Sequence, residues 1–319
     1  MSVQWPFFII MNSIPPLLSP GDKVAVIATA KTFEQSTILS AFQYLENWGL
    51  EVVAGQNLFK QNFQYAGTDA ERLEDLQWAI DNPKIKAIFL ARGGYGTGRI
   101  IDCVNFESLL TSPKWLIGFS DVTVLHFSLQ KLGLPSIHGP MPITFDKNQL
   151  TQSLDKLKNI LFNFPLSCTW ETQTKFNKTG NVKGELIGGN LSIINNLIGT
   201  KSDFDFSGKI LFIEEVGEYL YHIDRMIVHL KRAGKLEKLN GLIVGHFSDI
   251  KDNPAPFGKD YQTIISDAVQ EYNFPVAFEF PAGHEDKNDP LVLGAEINFE
   301  VQENSATLNY SLYNTVRTV

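Results

Sequence analysis

The chain has 319 residues, 44% apolar and 19% charged, the composition of a globular protein with room for two domains. A net charge of −8, from 27 basic and 35 acidic residues, argues against a nucleic-acid partner. Two cysteines, Cys103 and Cys168, in no metal-ligand spacing exclude a disulfide framework, and no apolar run is long enough to span a membrane.

Residues 1–19 read as an N-terminal extension. Its apolar patch Phe7-Phe8-Ile9-Ile10 lacks the basic flank and small-residue cleavage site of a signal peptide. Met11 is an alternative start, since the ordered pattern begins near Pro20. A first domain is expected over residues 20–150. Residues 23–28 form a continuous apolar strand, and Ile38, Ala41, Phe42, Leu45 and Trp48 then recur at helical spacing. A strand at residues 51–54, a helix at 69–80 and a strand at 87–91 follow. Next come the loop Arg92-Gly93-Gly94-Tyr95-Gly96-Thr97-Gly98 and a short helix to Cys103. The run from Trp115 to Gly118 leads into Phe119-Ser120-Asp121, and a helix begins at Val122. A last strand lies around Ser136-Ile137-His138. Apolar strands alternating with helices predict a parallel sheet with right-handed crossovers, whose ligands sit beyond the carboxyl ends of the strands. The glycine loop and Ser120 both lie there.

Residues 151–183 read as a polar linker, and 184–319 as a second domain. Asn190 is the expected N-cap of a helix running through Ile198. The apolar run 210–213 ends in Glu214-Glu215. Helices are expected at 221–233 and 261–272, and strands at 242–245 and 276–278. The loop holding Gly283-His284 precedes final strands near Ile297-Phe299-Val301 and Ala306-Leu308-Tyr310.

Ser120 at a strand-to-helix turn has two readings, a nucleophile elbow or an N-cap with Asp121 in the first turn. The elbow is incomplete, because Gly118 stands two before the serine but Val122 fills the place two after. The glycine loop is a tight turn, an oxyanion hole or a phosphate cradle, although no Walker lysine follows it. Arg92 and Arg99 flank it and are candidates to grip a carboxylate. Of the six histidines, His126, His229 and His246 suit packing or surface roles and His138 is ambiguous. His284, in a polar loop after a strand, is free to enter a cleft. Glu214 or Glu215 is the acid placed to orient an imidazole. Glu285, Asp286 and Asp289 match no metal-binding spacing.

Seven stretches in order resemble the L,D-carboxypeptidases, serine peptidases that include the microcin C self-immunity hydrolases. They are Arg92-Gly93-Gly94-Tyr95-Gly96, Gly118-Phe119-Ser120-Asp121-Val122-Thr123, His138-Gly139-Pro140-Met141, Gly188-Gly189-Asn190-Leu191-Ser192, Phe212-Ile213-Glu214-Glu215-Val216-Gly217-Glu218, Ile223-Asp224-Arg225-Met226, and Gly283-His284 with Asn288-Pro290-Leu291. The resemblance implies an α/β fold, with a flavodoxin-like N-terminal parallel-sheet domain and a smaller mixed β/α C-terminal domain. It implies a triad of Ser120, Glu214 and His284, with Glu215 as the competing acid, and an oxyanion hole from the N–H groups of Gly94 and Asp121. No metal or cofactor is implied. The implied protein is a cytoplasmic homodimer that removes D-alanine from murein tetrapeptides. Hydrolysis of peptidyl adenylates and a non-catalytic binding module are the alternatives. Two departures from the family pattern, Tyr221-His222 and Glu285 after the histidine, are expected near the cleft.

Overall fold

The computed structural model describes residues 14–147, 150–164 and 167–311. In its first sheet β1 (Lys23–Ile27) lies between the edge strand β2 (Glu51–Ala54) and β3 (Ile85–Leu90), and β4 (Trp115–Gly118) and β5 (Ser136–His138) follow beyond β3, all parallel. Side chains of a strand alternate between faces, and the core divides accordingly. Val24 and Val26 pack with Ala41 and Leu45, whereas Ala25 and Ile27 pack with Leu76, Ala79 and Ile80 of helix Asp69–Asp81. A strand with two apolar faces has none to show water, which is why helices cover both sides.

The second sheet contains β6 (Ser167–Glu171), β7 (Gly180–Asn190), β8 (Ile210–Val216), β9 (Gly241–Ser248), β10 (Val276–Ala277), β12 (Glu296–Val301) and β13 (Ser305–Tyr310). Its order is β10-β9-β8-β7-β12-β13-β6, parallel from β7 to β10 and antiparallel beyond. This C-terminal sheet, expected in the smaller domain, has seven strands against six. β11 (Leu291–Leu293) leaves it and closes the first sheet antiparallel to β5. The loop between β10 and β11 therefore bridges the two sheets.

Two expectations need correction. Residues 151–183 are not an irregular linker. They hold the helix Thr151–Asn163, whose Leu154, Leu157, Ile160 and Leu161 are buried, and also β6 and the start of β7. Order also begins before Pro20: Leu18 is buried and its N–H donates to Leu161 O, while Pro16 O accepts from Trp115 Nε1. The alternative start at Met11 lies outside the described residues. Among the described residues no helix is long and apolar enough to cross a membrane.

Candidate active site

β4 ends in a 3-10 turn, Ser120–Val122, that leads into helix Thr123–Lys131. Phe119, not Ser120, is the N-cap, and no side chain caps the turn. Ser120 has φ +64°, a left-handed conformation costing a non-glycine residue about 1–3 kcal/mol. The strained serine lines a cavity of about 640 Å³, together with Lys31, Arg92, Gly94, Met141 and His284.

The glycine loop is tied to this elbow from inside. Asp121 is buried, and its Oδ2 accepts the Thr97 N–H at 2.9 Å. Burial pushes its carboxyl up, against the hydrogen bonds from Thr97. The Thr97 hydroxyl pairs in turn with that of Thr29 at 2.8 Å. Gly94 has φ +119°, and a Cβ there would lie 2.7 Å from Lys31 Cβ, so only glycine brings this N–H to the cavity wall. The Asp121 N–H belongs to the open first turn after Ser120, where helix donors lack internal partners.

The acidic pair lies at the end of β8, opposite a bulge. Ile213 pairs with Val244 but Glu215 pairs with Phe247, so Gly245 and His246 both stand against Glu214. Such an irregularity re-aims side chains, and both glutamates are buried. Glu214 Oε2 accepts from His284 Nδ1 at 2.8 Å, which leaves Nε2 as the free ring nitrogen. Burial lowers the basicity of His284, but the Glu214 charge and hydrogen bond, with Glu215 behind them, outweigh it and hold the imidazole above its ordinary value. Lys147 opposes this weakly from the cavity side. Glu215 instead accepts from Asn190 Nδ2, Ser192 N and Val216 N at 2.7–3.0 Å. Burial pushes it up to about 7.

The loop carrying His284 is held by residues to which sequence reasoning gave no such role. Asn288 Oδ1 accepts the Gly283 N–H at 3.1 Å, and the Asn288 N–H donates to Ser153 Oγ at 3.3 Å. Ser153 also donates to Asp289 at 2.7 Å, and Lys156 pairs with the same carboxylate. Ser153 and Lys156 belong to the helix read as linker. The helical spacing of Leu154, Leu157 and Leu161 signals that helix, but nothing local joins it to a loop more than 130 residues away.

The remaining candidates separate cleanly. Arg92 lines the cavity with one donor on Thr32 O at 2.8 Å. Arg99 is engaged by both oxygens of Asp69 and does not line the cavity. His126 is buried between Ser136 and Gly118 O, where desolvation lowers it to about 4. His138 is buried against Phe119 and Phe212, and His229 bonds Asn195. His246 is half-buried behind Gly283. Glu285 lines the cavity as expected, but Tyr221 and His222 do not, and His222 pairs with Glu218 at 2.6 Å. Among the described residues no group of three or more His, Cys, Asp or Glu is placed to hold a metal ion.

Known proteins share both the sequence and this architecture. Residues 24–139 match the LD-carboxypeptidase N-terminal domain, and 183–299 the LD-carboxypeptidase C-terminal domain. A Bacillus subtilis protein named a probable murein peptide carboxypeptidase is 33% identical over 93% of this chain and 95% of its own length. The murein tetrapeptide carboxypeptidase of Pseudomonas aeruginosa is 29% identical over 83% of this chain and 89% of its own. The crystal structure of muramoyltetrapeptide carboxypeptidase from Oxalobacter formigenes superposes with a TM-score of 0.82 at 30% identity, covering 92% of this chain and 100% of that one. The microcin C7 self immunity protein MccF, in complex with aspartyl sulfamoyl adenosine, shares the fold at a TM-score of 0.83 and 19% identity, over 93% and 98% of the two chains. With both domain types matched in order, the chain belongs to the LD-carboxypeptidase family and is a serine-type carboxypeptidase.

Proposed function

We propose that the enzyme hydrolyses the L,D bond to the terminal D-alanine of murein tetrapeptides through an acyl-enzyme. The observation that carries this reading is the 2.8 Å His284–Glu214 bond on a cavity that also exposes Ser120 in its strained turn. His284 Nε2 takes the Ser120 proton as Oγ attacks the carbonyl, and Glu214 stabilises the imidazolium that forms. The N–H groups of Gly94 and Asp121 receive the developing oxyanion. The leaving amine takes the proton back from His284, D-alanine departs, and water repeats the sequence to release the tripeptide. The murein substrate is supported by the names of the relatives in Bacillus subtilis, Pseudomonas aeruginosa and Oxalobacter formigenes.

An exopeptidase must recognise a free carboxylate, and leaving one unpaired in a cavity is costly. Arg92, beside the glycine loop, is the proposed grip. The purified protein is expected to release D-alanine from a tetrapeptide acid, but not from its C-terminal amide or from the last D,D bond of a pentapeptide. Equal turnover of acid and amide removes the grip. Inactivity on both, with cleavage of an acyl adenylate, replaces the murein reading by the immunity one. A cytoplasmic homodimer belongs to the same proposal, and light scattering of the purified protein tests the dimer.

A further inference from the structure

The nucleophile comes from the first sheet and the acid from the second, so a contact between them must set their separation. We propose that Thr123, Asn190 and Glu215 form a hydrogen-bonded latch that positions Ser120 against Glu214 and His284; the inference rests on the triad reading above. Thr123 lies one turn beyond Ser120, fully buried, and its Oγ1 accepts the Asn190 N–H at 3.0 Å. Asn190 ends β7 in register with Glu214, and its Nδ2 donates to Glu215 Oε1 at 3.0 Å. Glu215 Oε2 also accepts the N–H of Ser192 at 2.7 Å. The latch thus starts beside the nucleophile and ends on the residue next to the acid. Gly189 permits the approach: at φ +142°, a Cβ there would lie 2.5 Å from Thr123 Oγ1. None of these three residues lines the cavity, and they act through position alone.

Thr123→Val keeps the shape and removes the acceptor, leaving a buried N–H unpaired. Misplacement of a catalytic group by on the order of 1 Å costs about 10²-fold. The variant is therefore expected to lose roughly 10- to 100-fold in kcat at little-changed KM, and Thr123→Ser to recover most of it. Asn190→Asp keeps the cap oxygen but removes the donor to Glu215, and is expected to behave like Thr123→Val. It carries the test if the valine variant does not fold. Both are repeated in Ser120→Ala, where the thermal midpoint should fall as before but the residual rate should fall no further. Unchanged kcat in the folded variants overturns the latch, as does a serine variant no better than valine. A further loss in the Ser120→Ala background does so too. Full activity of Ser120→Ala itself would instead overturn the triad reading.

Discussion

Replacing Glu214 with glutamine keeps the size of the side chain and removes its charge. The carboxylate is wholly buried and 2.8 Å from His284 Nδ1. With charge centres on the order of 4 Å apart and an effective dielectric constant of about 20, it stabilises the imidazolium by about 4 kcal/mol. That corresponds to about 10³-fold in rate, at about 1.4 kcal/mol per tenfold. A glutamine amide can also donate to Nδ1, which puts the ring proton on Nε2, the wrong side for a base. Glu214→Gln should therefore lose at least about 10³-fold in kcat at nearly constant KM, measured as D-alanine release from the tetrapeptide. The pH profile adds a second reading. His284 must be neutral to accept a proton, and its pKa stands above the ordinary value, so the acid limb of wild-type kcat/KM lies above about 6.5. In the glutamine variant the upward pull of Glu214 is gone while burial still pushes down, and Glu215 and Lys147 stay in place. The acid limb must move to lower pH. A loss below about tenfold, or a limb that stays where it was, refutes the assignment of Glu214.

Ser120→Ala and His284→Ala should each lose about 10³-fold or more in kcat, and the double variant little further, because the two act as one unit; multiplied losses in a steady-state comparison contradict this. Gly94→Ala meets Lys31 and a positive φ, and should lose about 10²–10³-fold in kcat, as when an oxyanion donor is removed, with KM of the tetrapeptide largely kept. Arg92→Gln should raise KM for the tetrapeptide acid more than it lowers kcat; an unchanged KM in the same assay removes Arg92 from carboxylate binding.

Much of the fold is legible in the sequence because its signals are local. The continuous apolar runs of β1 and β3 require two covered faces, and Asn190 caps helix Leu191–Leu197 by accepting the Ile193 N–H, as its position predicts. Ser120 stands at the expected strand end, but only the backbone shows the positive φ that separates an elbow from a cap. The helix Thr151–Asn163 carried a readable helical spacing that the polar residues around 171–180 obscured. β11 is three residues long and joins a distant sheet, a pairing set by tertiary contact rather than by pattern. Which of Glu214 and Glu215 meets His284 is closed to local reasoning for a similar reason. It depends on the extra residue in the facing strand β9, which the sequence of β8 does not contain.

The proposed mechanism requires Ser120 to carry the acyl group. Enzyme mixed with tetrapeptide is quenched in acid during turnover, digested and read by mass spectrometry. The prediction is a tripeptidyl ester on the peptide containing Ser120, formed together with released D-alanine and absent from Ser120→Ala. Release of D-alanine by Ser120→Ala at the wild-type rate, with no ester on either protein, would contradict it.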